Sequence, residues 1–240
     1  MPQRLLEICV DSLDLAFAAV RGGADRLELC GPLFDGGVTP SAGFVAAARR
    51  MIDLPLAMLV RPRAGSFTSS DAEFEVMRQD ILYARNIGID IIVLGLLHSD
   101  QTVDIERTRE LVELAHPLEV TFHRAFDVSP DLEASLESVL QTGATRVLTS
   151  GGQASAVSGA ATVKKLRETA DNRIAFLLCG GITAATVSAA LETSKVAEVH
   201  AGLRESARTA LSARSFEVFT TSVDALRQKI RSMDESESIR

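Results

Sequence analysis

Three segments of this chain repeat one pattern: Gly23-Ala24-Asp25-Arg26-Leu27-Glu28-Leu29, Gly88-Ile89-Asp90-Ile91-Ile92-Val93-Leu94 and Gly143-Ala144-Thr145-Arg146-Val147-Leu148-Thr149. Each starts with a glycine at the end of a helix-like stretch, turns through small polar residues and enters a short apolar run. Glycine has no Cβ, so it fits the left-handed position just past a helix C-terminus. The unit is therefore helix, glycine stop, strand, and it recurs at roughly 55–65 residues, or about two βα units. Repeated βα units build a parallel sheet. The 240 residues lie near the roughly 250 of a (β/α)8 barrel, so the sheet is expected to close. The predicted fold is an α/β TIM barrel in a single domain, residues 1–232, followed by an acidic tail, 233–240, expected to be solvated and disordered.

Eight strands are predicted: Leu5–Val10, Arg26–Cys30, Leu56–Val60, Ile91–Leu94, Glu119–His123, Arg146–Thr149, Ile174–Leu178 and Ala197–His200. Helix starts are expected at Thr39-Pro40 and Ser129-Pro130, where a cap residue precedes a proline. Others are expected at Thr68-Ser69-Ser70-Asp71 and at Thr183, and the last helix over roughly residues 215–231. An open doubly wound sheet would need a glycine-rich fingerprint after the first strand. Ile8-Cys9-Val10-Asp11-Ser12 has none, so no nucleotide cofactor is implied.

A net charge of −7 argues against a nucleic-acid or anionic-membrane partner, because both select for basic faces. Apolar runs are too short to span a membrane, and Glu7 and Asp11 interrupt any leader-like stretch at the start. Cys9, Cys30 and Cys179 are odd in number and sit in apolar runs, which suits reduced thiols in the cytoplasm. The four lysines, Lys164, Lys165, Lys195 and Lys229, all fall away from strand C-terminal ends. A Schiff-base or pyridoxal enzyme would need one there, so no pyridoxal cofactor is implied.

Active sites of such barrels lie at the C-terminal ends of the strands. Those ends carry Glu7 and Cys9, Glu28 and Cys30, Arg61 and Arg63, Gly95, then His123, Arg124 and Asp127. They continue with Thr149-Ser150-Gly151-Gly152, Cys179-Gly180-Gly181 and His200. Strands one and two share Leu-Glu-Ile/Leu-Cys. Alternation along a strand therefore sends Leu6, Ile8, Leu27 and Leu29 outward, and Glu7, Cys9, Glu28 and Cys30 into the barrel. A buried carboxylate needs a partner, and Arg61 is the expected contact of Glu7 or Glu28. Glu7, Glu28, His123 and Asp127 are the candidate acid–base residues, with Asp127 placed to orient an imidazole or an arginine. Arg61, Arg63, Arg124, Ser150, Gly151, Gly152, Gly180, Gly181 and His200 are the candidate binders of an anion, the glycines by offering backbone N–H groups.

These residues resemble a known family. Leu6-Glu7-Ile8-Cys9, Gly22 to Cys30, Gly36-Gly37-Val38-Thr39-Pro40-Ser41, Arg61-Pro62-Arg63, Thr121-Phe122-His123-Arg124-Ala125-Phe126-Asp127, Leu148-Thr149-Ser150-Gly151 and Glu198-Val199-His200 are similar to the copper homeostasis protein CutC family. The resemblance implies a TIM barrel, a cytoplasmic homodimer and copper handling through thiols. This chain departs from the family's pattern at Ala64-Gly65-Ser66, at Cys179 and at Ala201-Gly202. Two functions follow. One is Cu(I) binding by Cys9 and Cys30, on adjacent strands about 4.8 Å apart. The other is a lyase, isomerase or hydrolase type enzyme acting on a small anionic metabolite clamped by Arg61 and Arg63.

Overall fold

The three repeating glycines sit in left-handed backbone, with φ of 86° at Gly23, 81° at Gly88 and 84° at Gly143. Each ends a helix and turns the chain back into the sheet. The computed structural model describes residues 3–33, 36–203 and 213–238. Its strands are β1 (Leu5–Val10), β2 (Arg26–Leu29), β3 (Leu56–Leu59), β4 (Ile91–Leu94), β5 (Glu119–Phe122), β6 (Arg146–Thr149), β7 (Ala175–Leu178) and β8 (Glu198–Ala201). All pair in parallel, in sequence order, and β8 closes on β1. The helices are α1 (Leu13–Arg21), α2 (Ala42–Met51), α3 (Asp71–Ile87), α4 (Ile105–Ala115), α5 (Leu132–Thr142), α6 (Ala156–Ala170), α7 (Val187–Ser194) and α8 (Ala213–Ser238). The TIM barrel expected from the repeat is therefore the fold.

Alternation along the strands divides the core into two layers. Leu6, Ile8, Val10, Leu27 and Leu29 join the core between sheet and helices. Cys9, Cys30, Ala57, Leu59, Ile91 and Val93 form a separate cluster inside the barrel. Register then decides which polar groups meet. Glu7 lies opposite Arg26, and Cys9 opposite Glu28. The two Leu-Glu-x-Cys segments are thus staggered by two residues. Glu28 stands level with Cys9, and Glu7 gains an arginine from the start of β2.

That arginine belongs to a buried ion-pair ladder across the barrel floor. Arg26 Nε meets Glu7 Oε2 at 2.5 Å, and Arg26 Nη2 meets Glu198 Oε2 at 2.8 Å. Arg146 continues the chain to Glu198 at 2.8 Å and to Glu119 at 3.0 Å. Arg61 takes no part. Its expected contact with Glu7 or Glu28 does not form, because Arg26 is nearer in register and already holds Glu7.

Several helix starts differ from expectation. Ser41, not Thr39, caps α2, and Asp131, not Ser129, caps α5. Each cap comes one residue after the proline, so Pro40 and Pro130 stand outside their helices. Thr186 precedes α7 where Thr183 was expected, and the Thr183 N–H donates to the Thr186 hydroxyl. Ser70 caps α3 as anticipated, in a capping box with Glu73. Helix α8 runs to Ser238, through most of the stretch expected as a disordered tail. Asp234 there pairs with Arg4 at 2.6 Å, so the acidic segment is anchored to the start of the barrel.

Candidate metal and anion centre at the barrel mouth

The inner faces of β1, β2 and β8 bring two thiols, two carboxyls and an imidazole together. Cys9 Sγ lies 3.1 Å from Cys30 Sγ. One ligand atom from each of Cys9, Glu28 and His200 falls within 4.8 Å of the other two. His200 Nδ1 is 2.7 Å from Glu7 Oε1, and its Nε2 is 3.9 Å from Glu28 Oε2. Glu7 therefore engages one ring nitrogen and turns the other toward Glu28 and the thiols. Carboxylate–histidine pairing of this kind orients an imidazole for a metal and raises its basicity.

Electrostatics sharpen the contrast between the two carboxyls. Burial opposes charge on Glu7, but Arg26 and the His200 hydrogen bond outweigh it and hold the carboxyl at about 2. Glu28 has no arginine partner as close. Burial, with the Glu7 charge beside it, raises its carboxyl despite the opposing pull of His200. Burial disfavours a charged His200, yet Glu28 and Glu7 together raise its pKa. Cys9 is raised by its hydrogen bond to Cys30, by burial and by Glu28. The Cys9 thiol is thus held protonated, and Cys9 and Cys30 are sealed from solvent at 3% and 1% exposure.

The opposite wall comes from β3 and β5. His123 is buried, with its Nδ1 accepting from the Ala125 N–H at 3.3 Å. The ring proton is therefore on Nε2. Gly95 makes room for this ring, since a Cβ there would meet His123 Nδ1 at 2.5 Å. Phe67 stands edge-on to the imidazole, ring centroids 5.0 Å apart, and the Arg61 guanidinium lies over Phe67 at 4.8 Å. Arg61 donates to the carbonyls of Gly37 at 2.9 Å and Gly65 at 2.7 Å. Arg63 turns away to Glu73 at 2.5 Å on the outer surface, so it does not join Arg61 as a clamp. A 430 Å3 cavity opens between the two walls, lined by Cys9, Glu28, Cys30, Arg61, His123, Arg124 and His200 together with Leu33, Leu59 and Leu148.

Asp127 orients an arginine and a loop, not an imidazole. It accepts from Arg124 Nε at 3.0 Å, from the Thr149 hydroxyl at 2.5 Å and from the Ser150 hydroxyl at 2.9 Å. It also accepts from the N–H groups of Ser150 and Gly152, each at 3.0 Å. Gly151 N–H goes to Thr149. The backbone donors expected to receive an external anion at Ser150-Gly151-Gly152 are thus filled by an internal carboxylate. Gly180 and Gly181 line a second cavity of 620 Å3 beside the first, along with Cys179, Arg124 and His200. Cys179 packs against Leu148 and Leu177 and stands apart from the Cys9–Cys30 pair.

Reading strand ends missed Arg26, Arg146 and Glu198, because they enter the barrel from its other end. The repeat held the signal. Arg26 and Arg146 occupy the same place in Gly-Ala-Asp-Arg and Gly-Ala-Thr-Arg.

His123 supplies a pH test. Burial lowers its pKa first, and the nearby Arg61 charge lowers it further, to about 3. The unfolded chain protonates this ring near pH 6.5. Between those values the unfolded state binds the extra proton, so stability falls as pH falls from about 6.5 to about 3, by up to about 5 kcal/mol. Denaturant melts followed by circular dichroism, suited to a chain without tryptophan, are expected to show that slope. His123→Gln is expected to flatten it by up to one proton's worth. An unchanged slope would show that the ring is not kept neutral.

Comparison with known proteins matches most of the chain. Residues 4–205 fit the model of the CutC family. A CutC protein of Chromobacterium violaceum is 43% identical over 208 residues, covering 87% of this chain and 84% of that protein. A copper homeostasis protein cutC homolog of Homo sapiens is 42% identical over 214 residues, covering 89% and 78%. The crystal structure of a CutC protein from Streptococcus agalactiae superposes with a TM-score of 0.79 at 32% identity, covering 82% of this chain and 98% of that one.

Proposed function

This chain belongs to the CutC family, and on that footing we propose that it takes Cu(I) as cargo at the barrel mouth, through Cys9 and Cys30 with His200 and Glu28. The observation that carries the reading is the approach of these donors: the Cys9–Cys30 sulfurs at 3.1 Å, with Glu28 and His200 grouped around Cys9. Soft thiolates select Cu(I) over harder cations. Glu7 holds His200 Nδ1 and leaves Nε2 as the available nitrogen. The names of the human and mouse relatives, copper homeostasis protein cutC homologs, point the same way. The reading also takes the protein as cytoplasmic and dimeric. Thiols outside any disulfide suit a reducing compartment, and sedimentation velocity reads the dimer.

Thiols must lose their protons to bind a metal, so uptake depends on pH. Anaerobic titration against a strong Cu(I) chelator is expected to show one tightly held ion per chain. Its affinity should rise about tenfold per pH unit for each thiol proton displaced. Failure to hold Cu(I) against the chelator, or an affinity flat with pH, would remove the thiols from the account.

The cavity supports a second reading, an enzyme acting on a small anionic metabolite. Glu28, whose carboxyl burial raises, would serve as acid and neutral His123 as hydrogen-bond donor.

A further inference from the structure

Among the described residues, no carboxylate answers the charge of Arg61. The other arginines reaching the barrel interior each have a carboxylate: Arg26 has Glu7 and Glu198, Arg146 has Glu119 and Glu198, and Arg124 has Asp127. Among the described residues Arg61 has only carbonyl partners, Gly37 and Gly65. Its Nε–H is buried and finds no acceptor among the described residues. Burying part of a cation without a counter-ion is costly. Burial and the Arg63 charge accordingly push its pKa down. Yet two carbonyls and the Phe67 face fix the guanidinium in one pose at the cavity wall. A rigid cation without an anion describes a binding group, not a structural one.

His123 adds a second donor. With Nδ1 occupied by the Ala125 N–H, the proton on Nε2 has no acceptor among the described residues, although the ring is only 5% exposed. Phe67 touches both groups, so they border one region of the cavity. Leu33, Leu59, Val128 and Leu148 give the cavity an apolar wall, while Glu28, Arg124, Asp127 and His200 line it elsewhere. The amide nest of the Ser150 loop, which would favour a phosphate, is already filled by Asp127.

We infer that the 430 Å3 cavity binds a small organic carboxylate, its oxygens on the Arg61 guanidinium and His123 Nε2–H and its carbon skeleton against Leu33, Leu59, Val128 and Leu148. Guanidinium and carboxylate match in plane and charge. Pockets of this size and mixed lining are typical of metabolite sites. The inference gives the enzyme reading its substrate class. It rests on that reading only for what happens after binding, and on no part of the copper reading.

Ligand-observed NMR on the metal-free protein tests it, using a library of small carboxylic acids, the matching primary amides and inorganic phosphate. Several acids are expected to bind and their amides not. At a hundredfold excess over Kd the best acid should raise Tm by about 5–10 °C. Arg61→Gln and His123→Gln should each weaken it by about tenfold or more. Lys165→Gln, which alters only a surface pair with Glu133, should change Kd by less than about twofold. If no acid binds, if amides bind as well as acids, if phosphate alone binds, or if Lys165→Gln weakens binding as much as Arg61→Gln, the inference fails. Because binding is read without turnover and without metal, such a failure is distinct from failure of catalysis or of copper uptake.

Discussion

Replacing Cys9 and Cys30 together by Ala is expected to weaken Cu(I) binding by more than about a hundredfold, past the 10–100-fold that follows loss of an outer-shell partner. The two sulfurs stand 3.1 Å apart on neighbouring strands, and both are inside the barrel cluster. Removing both leaves only His200 and Glu28, a pair with no soft donor. Glu7→Gln is expected to act through His200, weakening binding about 10–100-fold, because it lets the ring lose its orientation. Cys179→Ala should leave affinity unchanged, since that thiol lies with Leu148 and Leu177. Chelator competition under nitrogen measures all three variants. Unchanged affinity in the double variant would reduce both thiols to core filler.

Arg26→Met is expected to cost about 3–5 kcal/mol of stability, because it leaves the buried Glu7 without its arginine, while Glu198 keeps Arg146. For a domain of this size that is a fall in Tm of about 6–20 °C. Arg61→Met is expected to cost less, about 1–2 kcal/mol, since it removes two part-exposed bonds to carbonyls and the contact with Phe67 but leaves no carboxylate stranded. Adding Glu7→Gln to Arg26→Met should recover part of the loss, as coupled neighbours do. Denaturant melts of the four proteins decide the matter. Equal costs for Arg26→Met and Arg61→Met would mean that the floor ladder contributes nothing particular to the fold.

The reversal of roles between Arg26 and Arg61 shows what the amino-acid order reveals and what closure of the barrel adds. Strand positions and inward faces were legible, because alternation of side chains is local and the glycine stops mark each turn. Cys9, Glu28, Cys30 and His200 could be placed at one end of the barrel for the same reason. Partners were not legible, because they depend on register between strands. A stagger of two residues sets Glu28 beside Cys9 and gives Glu7 to Arg26. Arg63 follows Arg61 at the alternate position, yet the chain has already left β3 there and the side chain turns to Glu73. Proline misled the cap assignments at Thr39. Its hydroxyl serves a tertiary bond instead, accepting from the Arg61 N–H at 3.0 Å and donating to Asp80. The filling of the Ser150 loop by Asp127 joins residues 23 apart in sequence and has no local sign.

Copper K-edge X-ray absorption of the protein loaded anaerobically with one equivalent of Cu(I) tests the central claim most directly. Sulfur is expected in the first shell together with a lighter nitrogen or oxygen neighbour, from Cys9 and Cys30 with His200 or Glu28. The sulfur signal is expected to vanish in the Cys9→Ala, Cys30→Ala protein. A shell of nitrogen and oxygen alone, or sulfur that persists in that variant, would contradict it.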